Sequence, residues 1–402
     1  MEKANFEEVS SEKKDRMVYL EGREDLFETK LFSVRNATQE QNSKEFEKRV
    51  FVISRDPGSA NALAPVMAIL NEKQKLSLTV MTDGRAQEIF QNQFRLDDVT
   101  PKDMALGADR VVGSPDAILL DPSQSEQGVD LYTAATYREV PTVIVEDYYT
   151  SSRRYLEALK ERHLPNPTKI CVIDDFAKTL IIRDFPELED NIMVTGQPAF
   201  DRFSTENTEL IGAETRKELN IDQKEKFVVF FSGRQNLDAV KYFIEELEKA
   251  SFKFKFAYRL HPRDNTPPEE YEKIFSQSNI DVIQTHHINS DRISAAADVV
   301  MTVSSTEGIH AIYRRKPTIH ISDPKFAQLR KDLVPAPPVQ LGASVGVENL
   351  SDLASNIENL LNPESEVNVA LLEHMKKYYK SDGKNAERVA DIVAEIVSKK
   401  EE

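Results

Sequence analysis

Residues 298–321 constrain the fold more than any other stretch of this sequence. They predict a buried strand at residues 299–303, a turn of small hydroxyl residues, a short helix at residues 306–314 and a second apolar strand begun by Pro317. Such a succession of strand, turn, helix and strand is half of a parallel α/β sheet. The turn then lies at the carboxyl end of a strand, where open α/β sheets bind their ligands.

The turn itself carries hydroxyl groups that suit two different roles. Ser304, Ser305 and Thr306 stand where the helix begins. Backbone N–H groups and hydroxyls at a helix N-terminus bind anions such as phosphate. The spacing from Ser304 to Glu307 is equally typical of a capping box, which satisfies the helix end without a ligand. The turn alone leaves both interpretations open.

Apolar strands alternate with amphipathic helices along most of the chain, in two series. We expect an α/β fold with two Rossmann-like, doubly wound parallel-sheet domains that face a cleft, followed by C-terminal helices. The first domain is predicted at residues 49–203 and the second at residues 204–348. Residues 349–402 are expected to form helices that pack across both domains. Residues 1–48 are densely charged and are interpreted as a peripheral extension without chemistry.

Composition excludes several classes of partner. The formal net charge of −16 argues against nonspecific binding to nucleic acid or to an anionic membrane surface. An anionic ligand therefore requires a local cluster of basic groups. The single Cys171 fits a reducing compartment, and neither a secretory signal nor a membrane-spanning apolar run is visible. We expect a cytoplasmic protein.

Basic side chains follow the strand predicted at residues 252–260. Arg259, His261 and Arg263 come at or just after its end, where a parallel sheet places its ligand site. Another strand ends at Ser232, followed by Gly233, which permits close backbone approach, and by Arg234, which can bind phosphate oxygens in a forked geometry. A solvated surface is the alternative for each. Together with the Ser304–Thr306 turn, three strand ends of the second domain present groups suited to an anion.

Polar residues also follow the first strand of the first domain. Asp56, Gly58, Ser59 and Asn61 are candidates for contacts with an acceptor, and Asp56 is a candidate base. Ordinary turn and helix-cap chemistry explains the same residues without a ligand. Residues 146–147 form another acidic strand end, for which a solvated corner is the simpler explanation. The sequence contains neither Cys/His spacing typical of zinc nor a Gly-x-Ser-x-Gly elbow.

The accumulated pattern resembles the GT-B superfamily. That superfamily includes nucleotide-sugar glycosyltransferases, non-hydrolysing UDP-N-acetylglucosamine 2-epimerases and CDP-glycerol glycerophosphotransferases. The resemblance covers about residues 49–365. It is carried by Val-Thr-Gly-Gln-Pro-Ala-Phe-Asp at residues 194–201, by Leu-His-Pro-Arg at residues 260–263, and by Ala-Asp-Val-Val-Met-Thr-Val-Ser-Ser-Thr at residues 297–306 with the following Lys316 and Pro317.

The resemblance implies a nucleotide site on the second domain and an acceptor site on the first. The diphosphate would lie against Ser304, Ser305 and Thr306, and the implied nucleotide site also includes the residues Gly233, Arg234, His261, Arg263, Glu307 and His310. Asp56 and His261 are the candidate catalytic residues, and the acceptor side would comprise Gly58, Ser59 and Asn61. The resemblance implies no bound metal and no cofactor. Catalysis would rest on stabilising the charge of the departing group.

One departure from the superfamily pattern concerns donor recognition. Many members place Glu before the Ala of this helix to bind ribose hydroxyls, whereas this chain has His310 before Ala311. A carboxylate accepts two hydroxyl hydrogen bonds, whereas a neutral His offers one acceptor and one donor. Glu307, about one turn earlier, can substitute for the missing carboxylate.

The leading hypothesis is a GT-B-like, metal-independent transferase that uses a nucleotide-activated sugar or polyol phosphate in polysaccharide or cell-envelope glycan synthesis. Its partners would be a nucleotide-linked donor and a glycan or lipid-linked acceptor, with no nucleic acid. The alternatives are a sugar-nucleotide epimerase of the same fold, a protein that binds a nucleotide or glycan without turnover, and a scaffold that acts through its charged N-terminal arm.

Overall fold

The computed structural model describes residues 30–35, 48–54, 56–82, 84–98, 115–122, 140–233, 235–261, 264–327 and 334–399. The chain divides into two compact units. The first comprises Met1–Asp201 and Lys384–Glu402, and the second comprises Arg202–Gly383. Each contains a sheet built mainly or entirely of parallel strands, so the predicted class of two parallel-sheet α/β domains is confirmed. Among the described residues, no helix is both long and apolar enough to cross a membrane.

The sheet of the first unit has the strand order β4-β1-β3-β2-β5-β6-β7-β8. Its strands are β1 Lys30–Arg35, β2 Arg49–Ile53, β3 Ser77–Thr82, β4 Arg95–Asp98, β5 Ala117–Leu120, β6 Thr142–Val145, β7 Lys169–Val172 and β8 Ile192–Val194. Strands β2, β5, β6 and β7 are almost wholly buried, which explains their continuous apolar runs. The parallel order reverses between β2 and β5, so the turn after β2 lies at a switch point.

Strand β1 corrects the assignment of residues 1–48 to a peripheral extension. It pairs antiparallel with both β3 and β4, and its Phe32 and Val34 side chains are buried. These two residues contribute to the core of the first unit, although they stand in a charged stretch. Residues 1–29 and 36–47 lie outside the described residues.

The sheet of the second unit is entirely parallel, with the order β11-β10-β9-β12-β13-β14. Its strands are β9 Phe227–Phe231, β10 Lys255–Arg259, β11 Asp281–Val282, β12 Val299–Thr302, β13 Thr318–Ile321 and β14 Val345–Val347. This is the strand order of a doubly wound Rossmann sheet, whose order reverses between its first and fourth strands. Here the reversal lies between β9 and β12. Fold rules therefore place a ligand where these two strands end.

Helices connect most of the strands, as the alternating pattern predicts. They are α1 Pro57–Glu72, α2 Gly84–Gln91, α3 Ser151–Glu161, α4 Asp175–Asp184, α5 Thr208–Glu218, α6 Leu237–Leu247, α7 Pro268–Ser276, α8 Ser290–Ala296, α9 Thr306–Tyr313, α10 Pro337–Gln340, α11 Leu353–Leu361, α12 Glu366–Tyr378 and α13 Asn385–Ser398. Short 3₁₀ segments occur at Pro186–Asn191, Pro198–Ser204 and Leu350–Asp352.

The C-terminal helices belong to different units, and the unit limits differ from the predicted ones. Helix α11 packs on α6 and β12, and α12 packs on α11, so the second unit continues past residue 348. Helix α13 instead packs on α1 and β5 of the first unit. The chain enters the second unit at residue 202, two residues before the predicted boundary.

Residues 194–201, one of the motifs behind the resemblance, hold α13 in place. The Asp201 carboxylate accepts hydrogen bonds from the backbone N–H groups of Asn385 and Ala386, at 2.9 and 2.8 Å. The Asn385 side chain donates to the Gln197 carbonyl at 3.0 Å. A Cβ at Gly196, whose φ is +82°, would lie 2.1 Å from the Asn385 side chain. The motif therefore requires glycine here because it anchors the last helix.

Candidate functional site

A pocket of about 1010 Å³ opens at the carboxyl ends of β9, β10 and β12, at the switch point of the second sheet. The described residues that line it are Phe231, Ser232, Gly233, Gln235, Asn236, Arg259, Leu260, His261, Ser290, Val303, Ser304, Ser305, Thr306, Glu307, Pro324, Lys325, Phe326 and Ala327. The structure thus brings together the three strand ends that the sequence analysis selected. Arg234 and Arg263 lie outside the described residues.

Two helices begin at this pocket. Asn236 caps α6 by accepting the Ala239 N–H at 2.8 Å, and Ser305 caps α9 by accepting the Glu307 N–H at 3.3 Å. The N-terminus of a helix carries partial positive charge and favours an anion. Because Ser305 is the cap, the alternative interpretation of a capping box from Ser304 to Glu307 is wrong. Ser304 is exposed at the pocket.

The basic residues at the end of β10 and just after it, Arg259 and His261, contribute unequally to the pocket. The Arg259 guanidinium donates to the Thr285 carbonyl and, at 3.3 Å, to the Ser290 hydroxyl, so it already fixes the loop before α8. His261 lines the pocket, and its backbone N–H donates to the Ser232 hydroxyl at 3.1 Å. This bond joins the ends of β9 and β10.

His310 is not among the residues that line the pocket. Its Nδ1 atom lies 3.2 Å from an Asp291 carboxylate oxygen and 3.4 Å from a Glu307 carboxylate oxygen. Burial lowers the pKa of His310, but hydrogen bonds and charge attraction from Asp291 and Glu307 outweigh it and raise the pKa above its ordinary value. The Nδ1 atom of His310 thus lies beside the Glu307 carboxylate, and Glu307 does line the pocket.

Arginine side chains complete this charged cluster. Arg202 contacts Asp291 through two hydrogen bonds of 2.6 and 2.8 Å, and Arg314 contacts Asp291 at 3.0 Å. Asp291, Glu307 and His310 place ligand-type atoms within 4.8 Å of one another, a spacing that a metal ion could use. The guanidinium groups already neutralise Asp291, so the described contacts define an ion-pair network that joins α8 to α9.

The candidate acceptor residues lie at the switch point of the first sheet. Asp56 caps α1 by accepting the Gly58 N–H at 2.9 Å, and the Asn61 side chain donates to the Pro57 carbonyl at 3.0 Å. The Ser59 hydroxyl donates to Asp147 at 3.1 Å. Asp56, Gly58 and Ser59 thus cluster around Asp147, whereas the Asn61 amide bonds within its own helix.

The turn after β6 carries titratable groups that the sequence analysis set aside as a solvated corner. That interpretation is wrong for Glu146, which is only 1% exposed and has one carboxylate oxygen without a hydrogen-bond partner. Burial, with the nearby charges of Asp174 and Asp147, raises the pKa of Glu146 well above its ordinary value. Burial and the charge of Asp56 also raise the pKa of Asp147. Carboxylates at successive strand ends were the only sequence signal for this group.

Known structures share the fold of this chain. The UDP-GlcNAc 2-epimerase of Neisseria meningitidis bound to UDP-GlcNAc matches with a TM-score of 0.62 and 15% identity, over 86% of this chain and 100% of that one. The enzyme of the same name from Methanocaldococcus jannaschii matches with a TM-score of 0.58 and 16% identity, over 86% and 99%. A glycosyltransferase of Rickettsia africae matches with a TM-score of 0.57 and 11% identity, over 88% of this chain and 99% of that one. The fold is that of the GT-B superfamily.

The sequence narrows this class to one family. Residues 147–395, more than half of the chain, match the model of the CDP-Glycerol:Poly(glycerophosphate) glycerophosphotransferase family. The chain belongs to that family. A comparison with curated proteins found no match.

Proposed function

We propose that this protein transfers a polyol phosphate from a CDP-linked donor to a hydroxyl group of a growing glycan or polyol-phosphate chain, in cell-envelope synthesis. Membership of the glycerophosphotransferase family supports the donor and the type of reaction. The observation that carries the proposal is the pocket at the switch point of the second sheet, where two helices begin. A doubly wound sheet binds nucleotides at this position.

The pocket offers a consistent arrangement for the donor. The diphosphate would lie against the first turn of α9, where Ser304, Ser305 and Thr306 supply hydroxyl groups and helix N–H groups. Gly233 would allow the backbone after β9 to approach it. Glu307 would accept hydroxyl hydrogen bonds of the ribose or polyol, held in place by His310.

The chemistry is a phosphoryl-group transfer. The acceptor hydroxyl oxygen attacks the phosphorus that carries the polyol, a new P–O bond forms, and the bond from that phosphorus to the oxygen of the CMP phosphate breaks. CMP leaves with the electron pair, and the hydroxyl proton passes to a base. Hydrogen-bond donors and partial positive charge that meet the developing charge on CMP lower the barrier. The α9 N-terminus would supply them, and the His261 side chain is the candidate donor beside it.

The acceptor is assigned to the first unit. Asp56, Gly58 and Ser59 stand at its switch point, and Asp147 joins them through Ser59. Asp56 remains the candidate base from the sequence, but its hydrogen bond to Gly58 gives it a capping role as well. A base needs a pKa near the working pH, a condition that the raised pKa of Asp147 approaches more closely than an ordinary Asp.

The test is CMP release from CDP-glycerol, with and without a glycerophosphate oligomer as acceptor. Transfer predicts CMP release that depends on the oligomer and an oligomer longer by one unit. Conversion of UDP-GlcNAc to its 2-epimer without any acceptor would instead indicate the epimerase alternative. Tight binding of CDP-glycerol with neither reaction would indicate a protein that binds without turnover.

A further inference from the structure

The segment that follows β13 forms one wall of the pocket. Residues 324–327 line it, and Lys325 is the exposed cation among them. Nothing in the sequence pattern singles out this lysine, because it stands alone between Pro324 and Phe326. The structure shows two anchors that fix its position.

The first anchor precedes the lysine. Asp323 is 3% exposed, and its carboxylate accepts the Lys325 backbone N–H and the Leu350 backbone N–H, both at 2.8 Å. The Tyr242 hydroxyl also donates to Asp323, at 3.4 Å. A buried carboxylate with three donors is costly to move, because each lost bond leaves charge unsatisfied. Asp323 therefore ties the segment to α6 and to the 3₁₀ turn at Leu350.

The second anchor follows the lysine. Phe326 is 3% exposed and stacks on Phe243, with ring centroids 5.1 Å apart and an interplanar angle of 21°. It also contacts Phe230 of β9 at 5.6 Å. Lys325 is thus held at the pocket between two buried neighbours, and little backbone entropy remains to be lost when a ligand binds.

The charged groups that line the pocket determine what Lys325 can contribute to binding an anion. The Arg259 guanidinium is engaged with Thr285 and Ser290, and Glu307 adds a negative charge to the pocket wall. The Lys325 ammonium lies 5.9 Å from the centroid of the Tyr242 ring on α6, the helix whose N-terminus opens at the pocket. A chain with a net charge of −16 needs a local cation to hold a diphosphate.

We propose that Lys325, which lines the same pocket as the hydroxyl turn of α9, binds the diphosphate of the donor and so selects donors with a diphosphate over uncharged nucleosides. The inference rests on the proposed function, because it takes the pocket to be the donor site. It adds a residue that neither the sequence motifs nor the family resemblance assigns.

The experiment is isothermal titration of CDP into the full chain and three variants. Lys325→Met removes the ammonium group, Lys325→Arg keeps the charge, and Lys241→Met is the matched control. Lys241 lies on α6 and pairs with Asp238 at 3.2 Å outside the pocket lining, so its loss changes net charge equally. A lost charge-assisted bond predicts CDP binding weaker by about tenfold or more in Lys325→Met. Lys325→Arg should stay within about threefold of the wild type.

The outcomes separate this inference from the function on which it rests. If the wild type does not bind CDP at all, the proposed donor fails and the inference with it. If the wild type binds CDP and Lys325→Met weakens binding no more than Lys241→Met does, the donor site stands and the lysine assignment is overturned. Unchanged thermal unfolding of Lys325→Met would show that any loss is a loss of binding.

Discussion

Replacing Arg314 by Met should destabilise the second unit strongly and loosen the pocket. Arg314 follows the last residue of α9, and its side chain is 1% exposed. It makes two hydrogen bonds to Glu206, at 2.6 and 2.8 Å, and one to Asp291 at 3.0 Å. The guanidinium carbon also lies 4.9 Å from the Phe203 ring centroid. Methionine fills similar space without the charge.

The size of the stability loss follows from how deeply the partners of Arg314 are buried. Glu206 is 12% exposed and Asp291 is 27% exposed, so removing the arginine leaves a largely buried carboxylate without its main partner. Breaking a buried ion pair on one side costs about 3–5 kcal/mol. For a unit of this size, about 2–4 °C of melting temperature corresponds to each kcal/mol. The melting temperature of the second unit should therefore fall by about 6–20 °C.

The assay is differential scanning calorimetry of the full chain, with Arg292→Met as the matched control. Arg292 pairs with Glu218 at 2.5 Å, but both side chains are about two-fifths exposed. An exposed pair contributes about 0–1 kcal/mol. CDP titration of the same variants measures the effect on binding in the pocket, because the ion-pair network that contains Arg314 also includes His310 and Glu307 of α9.

Equal losses of melting temperature in Arg314→Met and Arg292→Met would contradict this prediction, since burial would then have no effect on the cost of breaking the ion pair. A double-mutant cycle with Glu206→Gln gives a second check. The two substitutions should be non-additive, because Glu206 and Arg314 are direct partners. Strict additivity would mean that the pair contributes nothing as a unit.

Four further substitutions test other features of the two units. In Gly308→Ala, the new Cβ would lie 2.7 Å from the Thr302 side chain, so either α9 or Thr302 must shift. The unfolding free energy should fall by about 1–3 kcal/mol in urea titrations, and an unchanged value would contradict this close packing. Glu146→Gln should abolish a pH dependence of stability. Because the pKa of buried Glu146 is raised, the folded state keeps a proton that the unfolded chain loses, so wild-type stability should decline as pH rises above about 4.5. The variant should not share that decline. Parallel pH profiles of the two proteins would count against the buried-acid assignment. Ser305→Ala should remove the α9 cap, lower the unfolding free energy by about 1 kcal/mol and weaken CDP binding. Ser304→Ala should leave the unfolding free energy within about 0.5 kcal/mol of the wild type. A larger loss of stability in Ser304→Ala than in Ser305→Ala would restore Ser304 as the cap.

The fold was largely predictable because buried parallel strands leave continuous apolar runs. Strands β9 and β12 are buried along their whole length. The sequence of β9 is wholly apolar, and β12 has only its last residue, Thr302, polar. Strand β1 was missed for the opposite reason. Its short alternation of apolar and polar residues stands in a charged stretch, and only pairing with β3 and β4 decides that it is a strand.

The site was predictable as far as strand topology determines it. Polar residues at the ends of β9, β10 and β12 had to meet, because neighbouring parallel strands end at one edge of the sheet. Side-chain partners were not predictable. That His310 contacts Asp291 rather than the pocket depends on how α8 packs beside α9, which no local pattern encodes. The position of Lys325 likewise depends on Asp323 and Phe326 being buried together.

The proposed function requires the pocket of the second unit to hold the diphosphate of a nucleotide-linked donor. A crystal structure of the full chain with CDP tests it most directly. We predict phosphate oxygens within hydrogen-bonding distance of the α9 N-terminus at Ser305 and Thr306, with Gly233 alongside. CDP bound elsewhere, or an empty pocket at a CDP concentration that saturates binding in solution, would contradict it.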